Sequence, residues 1–171
     1  LIYQEMEKQN VDLEESNLFE IVEKIEAVSS LHKQLYTNDS KQMIRIDTYL
    51  EEIRANFDNF FRKRGIDVVF EIEYLEIPIN KSLYLGILCT ELILNSLKHA
   101  FISEDGERKI LLSLKQEQGS IQLQYKDSGP GLKSRDTRLK LVDLLSKQLR
   151  FNYLIQDVGH FLLTARFTEK S

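Results

Sequence analysis

The sequence predicts an α+β chain in which a helical hairpin is followed by an α/β sandwich with a mixed sheet covered by helices. Three observations predict it. Apolar residues near the start recur at steps of three and four, two pairs of strand-like segments are joined at glycine, and amphipathic helical segments lie between them. The 171 residues, 42% hydrophobic and 29% charged, can build a packed core under a solvated surface. We expect the hairpin domain over residues 1–40 and the sandwich over residues 41–171.

The hairpin prediction rests on the seam of apolar residues between Leu18 and Leu35. Residues 1–10 have the composition of the last turns of another helix, and Leu1 rather than Met begins the sequence, so we expect a segment of a longer protein. Because two helices cannot bury such a seam by themselves, we expect a homodimer that closes a four-helix bundle.

The sandwich domain begins with a predicted helix over residues 42–64, for which Gly65 is a suitable C-terminal cap. Period-two alternation and turn residues predict the strands, and period-3.6 segments predict the other helices. The remaining elements, in chain order, are a strand over 67–73, an extended segment over 77–79, a helix over 81–101 capped by Asn80, strands over 109–115 and 121–126 joined at Gln118-Gly119, a helix over 136–149, and strands over 151–155 and 160–167.

Composition excludes several classes of function. A formal net charge of −4 argues against sequence-independent nucleic-acid binding. The single cysteine, Cys89, lies in an apolar run and is expected to be a buried thiol rather than half of a disulfide or part of a zinc cluster. No stretch approaches the roughly 18 apolar residues of a membrane span, and no secretory signal follows the first residue. We therefore expect no nucleic-acid partner and no membrane segment within these residues, and a cytoplasmic location that leaves open a membrane-anchored parent protein.

A polar stripe interrupts the apolar helix predicted over residues 81–101. Glu91, Asn95 and His99 are spaced at i, i+4 and i+8, with Lys98 beside them. Buried polar groups without partners cost about 1–3 kcal/mol each, so such a stripe needs a ligand or solvent. A divalent cation with phosphates would satisfy it, with hard oxygen ligands from Asn95 and Glu91 and cationic contacts from Lys98 or His99.

A second candidate element follows the predicted strand that ends at Asp127. Gly129 and Gly131 come directly after it and would let the backbone approach a flat ligand, while Asp127 would accept a hydrogen bond from an exocyclic amine such as that of adenine. Taken singly, the stripe is equally compatible with a solvated helix face, and the DSGPG segment with an ordinary loop. Their joint occurrence favours a nucleotide site.

Three segments resemble one protein family. GILCTELILNSLKHAF resembles the N box of the histidine kinase ATPase fold, which gyrase-type ATPases and heat-shock-ninety chaperones share, and KDSGPGL resembles its first glycine box. VEKIEAVSSLHKQLY resembles the second dimerisation helix of the kinase subfamily whose first helix carries an HHRVKNNLQ phosphoacceptor motif. The resemblance covers residues 18–131.

The resemblance implies the core of a two-component sensor histidine kinase. Such an enzyme binds ATP with Mg²⁺, phosphorylates a histidine, and passes the phosphoryl group to the receiver domain of a response regulator. Catalysis then depends on positioning and charge neutralisation. The implied roles are Mg²⁺ coordination by Asn95, orientation or deprotonation near the γ-phosphate by Glu91, phosphate contacts by Lys98 and His99, adenine recognition by Asp127, and backbone room at Gly129 and Gly131.

Two departures from the family keep an alternative open. The phosphoacceptor motif is absent: either it belongs to the first helix, of which only the tail is present, or the native protein lacks it. His32 in the second helix is the substitute candidate for phosphoacceptor, but a histidine on the seam is more often a packed residue. The later glycine boxes are also missing. Lys133, Arg135, Arg138 and Lys140 stand there, either as a basic clamp on phosphates or as a solvated helix face.

The alternative function is a degenerate kinase that binds ATP weakly or not at all and acts as a dimeric signalling scaffold. The predicted hairpin before the sandwich disfavours a chaperone or topoisomerase-type ATPase.

Overall fold

A computed structural model of the chain describes residues 43–101, 106–130, 140–157 and 159–168. The predicted hairpin over 1–40, with His32, lies outside these ranges, as do Gly131 and the basic residues between 131 and 139. The elements are β1 (Met43–Arg45), α1 (Ile46–Asn56), α2 (Asp58–Arg64), β2 (Asp67–Ile72), β3 (Glu76–Pro78), α3 (Ile79–His99), β4 (Lys109–Glu117), β5 (Ser120–Asp127), α4 (Lys140–Leu149), β6 (Asn152–Asp157) and β7 (Phe161–Thr168).

The sheet is mixed, as the sequence predicts. Its five strands lie in the order β2-β4-β5-β7-β6, with β2 parallel to β4 and the other neighbours antiparallel. The β4–β5 turn has left-handed backbone at both central residues, Gln118 at φ 51° and Gly119 at φ 75°. Two positive φ angles produce the turn that matches the twist of a hairpin, which confirms the predicted strand pair.

The helix predicted over residues 42–64 is wrong in detail. Residues 43–45 form β1, which pairs antiparallel with β3, so that Ile44 lies opposite Ile77. The helical part breaks at Phe57, whose backbone (φ −95°, ψ −3°) separates α1 from α2. The buried Phe57 ring stacks on Phe61 with centroids 5.8 Å apart, so the core holds the break. Gly65 ends α2 in the left-handed conformation, as predicted.

Helix α3 is the longest element and lies in the core. It begins at Ile79 rather than after an Asn80 cap, because the extended Pro78 occupies the cap position. It packs against α1 and α4, and its last turns contact β5. Cys89 is 0% exposed, and burial raises the pKa of its thiol to about 12, which confirms the predicted buried thiol. Among the helices of the described ranges, none is both long and apolar enough to span a membrane.

Candidate functional site

The acidic end of β5 faces the helical layer. Side chains of a strand alternate between its two faces, and Ile121, Leu123, Tyr125 and Asp127 are the buried set. Asp127 is only 5% exposed, which is unusual for a carboxylate. Such a group needs donors close by, and the last turns of α3 supply one of them.

Two hydrogen bonds fix the Asp127 carboxylate. The Ser96 hydroxyl donates to Oδ2 at 2.6 Å, and the Gly129 N–H donates to Oδ1 at 3.0 Å. Burial raises the pKa of Asp127 above its ordinary value, and the donors from Ser96, Gly129 and Phe161 together with the charge of His160 oppose that shift. The carboxyl is therefore a buried acceptor with a fixed orientation.

The hydrogen bonding continues from Ser96 into the core. Ser96 Oγ lies 2.8 Å from the Tyr125 hydroxyl, and that hydroxyl donates to the Leu92 carbonyl oxygen at 3.1 Å. Tyr125 is fully buried, and burial raises the pKa of its phenol well above the ordinary value, so it stays neutral. The side chains of Asp127, Ser96 and Tyr125 thus form a continuous chain that ends on the backbone of α3.

The turn after β5 is held against the end of α3. A Cβ built on Gly129 would lie 2.4 Å from Ala100 Cβ and 2.5 Å from Ala100 Cα, so only glycine fits. Ser128 secures the neighbouring residue, because its hydroxyl accepts the Lys109 N–H at 2.8 Å and donates to the Glu107 carbonyl at 2.5 Å. The absence of a side chain at Gly129 therefore allows the turn to pack against Ala100. That Gly129 also leaves room for a ligand stays a prediction.

The polar stripe of α3 lies at the boundary of the core. Glu91, Asn95 and His99 are half-buried, and Lys98 is exposed. Near the same end of the helix, the Arg64 guanidinium donates to the Leu97 carbonyl oxygen at 3.0 Å. The stripe and the strand end meet here, because Asn95 directly precedes Ser96, whose hydroxyl bonds Asp127. The structure thus brings the two predicted motifs to one place.

The stripe offers oxygen ligands to a magnesium ion without forming a complete cage. Within the described residues, no three His, Cys, Asp or Glu side chains cluster as a metal site. Mg²⁺ commonly takes one or two protein oxygens and completes its shell with phosphates and water. The half-buried Asn95 amide with Glu91 one turn away fits that mode of binding.

A polar concavity on the sheet belongs to the other face. It is lined by Ser113, Lys115, Glu117, Gln122 and Gln124. Since Gln122 and Gln124 alternate with the buried Leu123 and Tyr125, this concavity lies on the side of the sheet away from Asp127. It is therefore not part of the candidate site.

Sequence reasoning missed Ser96 and Tyr125, and it gave no role to His160, whose charge acts on Asp127. One signal for the first two was available. Tyr125 lies two residues before Asp127 and so shares its face of the strand, and Ser96 is a small polar residue inside an apolar helix. The contact between them crosses 29 residues of sequence, and only the fold reveals it.

Comparison with known proteins adds two findings. A family model described as histidine kinase (HisKA_2) matches residues 1–61. Among solved structures, the histidine kinase domain from the Erythrobacter litoralis EL346 blue-light activated histidine kinase has a TM-score of 0.77 at 16% identity, over 88% of this chain and 75% of that one. The chain spans 54% of a longer chain of that same kinase.

Two further structures show the same fold. The Acinetobacter baumannii histidine kinase AdeS has a TM-score of 0.63 at 14% identity, over 88% of this chain and 77% of that one. The catalytic domain of the histidine kinase ThkA has a TM-score of 0.61 at 13% identity, over 75% of this chain and 95% of that one. No curated protein matches the sequence. The chain has the fold of a histidine kinase catalytic domain. The family model matches a different part of the chain, its first 61 residues, and supports the histidine kinase family at the general level.

Proposed function

We propose that this chain is the dimerisation and ATP-binding core of a two-component sensor histidine kinase. It binds ATP with Mg²⁺, phosphorylates a histidine, and passes the phosphoryl group to the receiver domain of a response regulator. The active form is a homodimer through the helical hairpin, and the catalytic core works in the cytoplasm. The family match and the shared fold support the general class, and the site geometry supports the nucleotide.

The observation that carries the proposal is the 2.6 Å hydrogen bond between Ser96 and Asp127. It holds the strand-end acceptor next to the helix that carries Glu91, Asn95, Lys98 and His99. A nucleotide needs a base acceptor, oxygen ligands for its metal and cations for its phosphates on one surface, and these elements supply all three.

Each side chain then has one task. Asp127 accepts the amine of the base, and the Asn95 amide oxygen holds Mg²⁺, which neutralises phosphate charge when bound. Glu91 orients the acceptor group or takes its proton near the γ-phosphate. Lys98 and His99 face the phosphates. Gly129 and Gly131 leave the backbone near the base without side chains.

A degenerate kinase that acts as a dimeric scaffold is the second candidate. The observation favouring it is that Asp127 is 5% exposed and already has internal donors, which leaves little of the carboxylate for a nucleotide. In that case the fold would retain the shape of the site without its ligand, and the hairpin would serve for partner docking.

Calorimetric titration of the full chain with a non-hydrolysable ATP analogue, with and without Mg²⁺, separates the two candidates. The kinase binds the analogue in the micromolar to sub-millimolar range, more tightly with Mg²⁺. Asn95→Ala removes most of the Mg²⁺-dependent gain because it deletes the amide oxygen. Asn80→Ala is the matched control, since it deletes an exposed asparagine at the other end of α3.

Two outcomes would contradict this assignment. No binding by the wild-type chain at millimolar nucleotide would favour the scaffold. An unchanged Mg²⁺ dependence in Asn95→Ala would remove that residue from the site. For phosphoryl transfer, we expect acid-labile labelling by γ-labelled ATP in the full-length kinase to persist in His32→Gln, because we place the acceptor in the first helix of the hairpin.

A further inference from the structure

Part of the Asp127 carboxylate is occupied by donors of its own chain. An ionised carboxylate offers about four lone-pair positions. Ser96 donates to Oδ2 and Gly129 donates to Oδ1, and the nearby Phe161 backbone N–H favours the charged form. The two hydrogen bonds fix the plane of the carboxylate and the directions of the acceptor positions that remain. A base amine can bind only where those positions point.

Ser96 is a buried donor with a second hydrogen-bond partner. The residue is 2% exposed, and its hydroxyl lies 2.8 Å from the Tyr125 hydroxyl, which also bonds the Leu92 carbonyl. When Asp127 is ionised, Ser96 gives its only proton to Oδ2. The single Tyr125 proton is then shared between Ser96 Oγ at 2.8 Å and the Leu92 carbonyl oxygen at 3.1 Å. The Tyr125 hydroxyl thereby sets the Ser96 rotamer, and Ser96 sets the carboxylate plane.

We propose that Ser96 and Tyr125 are positioning residues that give the site its preference for a base with an exocyclic amine. They act through Asp127 and touch no ligand themselves. The inference rests on the proposed nucleotide site and deepens it. Without the Ser96 donor, the carboxylate can rotate or take a proton, and the remaining acceptor positions lose their direction.

The test compares adenosine triphosphate with inosine triphosphate, whose base carries a carbonyl where adenine carries the amine. We expect the wild-type chain to prefer the adenosine nucleotide. Ser96→Ala should weaken adenosine nucleotide binding about tenfold, the usual scale for a lost hydrogen bond to a charged group, and leave inosine nucleotide binding nearly unchanged. Tyr125→Phe should shift the ratio in the same direction by a smaller factor.

A second readout needs no nucleotide. Carboxyl-carbon NMR titration of Asp127 in Ser96→Ala should show a higher pKa than in the wild type, because a donor to the charged form is lost. The groups that face this carboxyl are the same in both proteins: Tyr125, His160, and the N–H groups of Gly129 and Phe161. The difference therefore reports the Ser96 hydroxyl alone.

Two variants serve as controls. Ser82→Ala deletes another buried serine hydroxyl of α3, one that bonds the Ile77 and Pro78 carbonyls at 3.5 and 3.3 Å, and should change neither readout. Ser96→Thr keeps the hydroxyl and should restore both the base preference and the Asp127 titration.

The possible failures can be told apart. If Ser96→Ala keeps the wild-type base preference, binds the adenosine nucleotide more tightly, or leaves the Asp127 titration unchanged, the positioning role is wrong. If the wild-type chain binds neither nucleotide, the proposed function fails and this inference fails with it. The first result is read from the difference between two proteins, and the second from the wild type alone.

Discussion

In its first half, α3 packs against the side chain of Tyr49 from α1, whereas its last turns pack against Tyr125 and Asp127 of β5. In both places a glycine permits the approach. Gly86 leaves space under the Tyr49 hydroxyl, and Gly129 leaves space over Ala100. Both tyrosines are almost completely buried, at 1% and 0% exposure. Their hydroxyls, however, differ in whether they have hydrogen-bond partners.

The two regions differ in hydrogen bonding. Within the described residues, the Tyr49 hydroxyl and the Thr90 hydroxyl one turn after Gly86 have no hydrogen-bond partner. Tyr125 instead bonds both Ser96 and the Leu92 carbonyl. Since an unpartnered buried hydroxyl is destabilising, the first region is a packing contact that tolerates polar atoms. The second is a polar network in which each hydroxyl has a hydrogen-bond partner.

The largest expected effect comes from adding one methyl group at each glycine. Gly129→Ala should lower the free energy of unfolding by about 2–3 kcal/mol, because the new Cβ meets the Ala100 backbone. Gly86→Ala should cost only about 1 kcal/mol, because alanine favours the helix and the obstruction is the end of the Tyr49 ring. Urea denaturation measures both values.

Second-site changes sharpen this comparison. Tyr49→Phe removes the atom that lies 2.2 Å from the Gly86 Cβ position and should partly rescue Gly86→Ala. Ala100→Gly should rescue Gly129→Ala poorly, because the Ala100 Cα and carbonyl oxygen remain at 2.5 and 2.9 Å. Equal losses at the two glycines, or full rescue at Gly129, would show that the end of α3 yields as easily as its first half.

Removing the same hydroxyl at the two tyrosines should give effects of opposite sign. Tyr125→Phe should lower the free energy of unfolding by about 1 kcal/mol, because the hydrogen bonds of its hydroxyl with Ser96 and the Leu92 carbonyl are lost. Tyr49→Phe should leave it unchanged or raise it by up to about 1 kcal/mol, because that hydroxyl has no partner among the described residues. The two variants are matched, since each removes one oxygen from a buried ring. A loss of equal size at Tyr49 would reveal a partner for its hydroxyl and remove the contrast.

The sequence predicts those parts of the fold that depend on local chemistry. The β4–β5 hairpin follows from alternation and from Gly119, and the end of α2 follows from Gly65. The break at Phe57 could not be predicted from local sequence, because no glycine or proline marks it. Stacking on Phe61 in the assembled core holds it. Strand β1 depends likewise on pairing with β3, more than thirty residues later in the chain.

The candidate site divides in the same way. Glu91, Asn95 and Asp127 could be chosen as candidates because charged and amide groups in apolar surroundings stand out in a sequence. Ser96 and Tyr125 give a much weaker signal, because serine and tyrosine are ordinary residues in cores. Their contact with the candidate site becomes visible only in the fold, which joins Ser96 to Asp127 across 31 residues.

The smallest expected effect concerns the charge of Asp127. Burial raises the pKa of this carboxyl in the folded chain above its unfolded value of about 3.9. Between the two values the folded state binds more protons than the unfolded state, so the free energy of unfolding falls as pH rises through that interval.

Asp127→Asn does not titrate, and its amide can accept from Gly129 and donate to Ser96. The stability of the wild type relative to Asp127→Asn should therefore decline from pH 4 upward, as measured by urea denaturation at each pH. Titrating groups that do not interact with Asp127 cancel in this difference. A relative gain with rising pH would mean that the donors from Ser96 and Gly129 outweigh burial, and that Asp127 is held as a stabilised carboxylate whose charge the network favours.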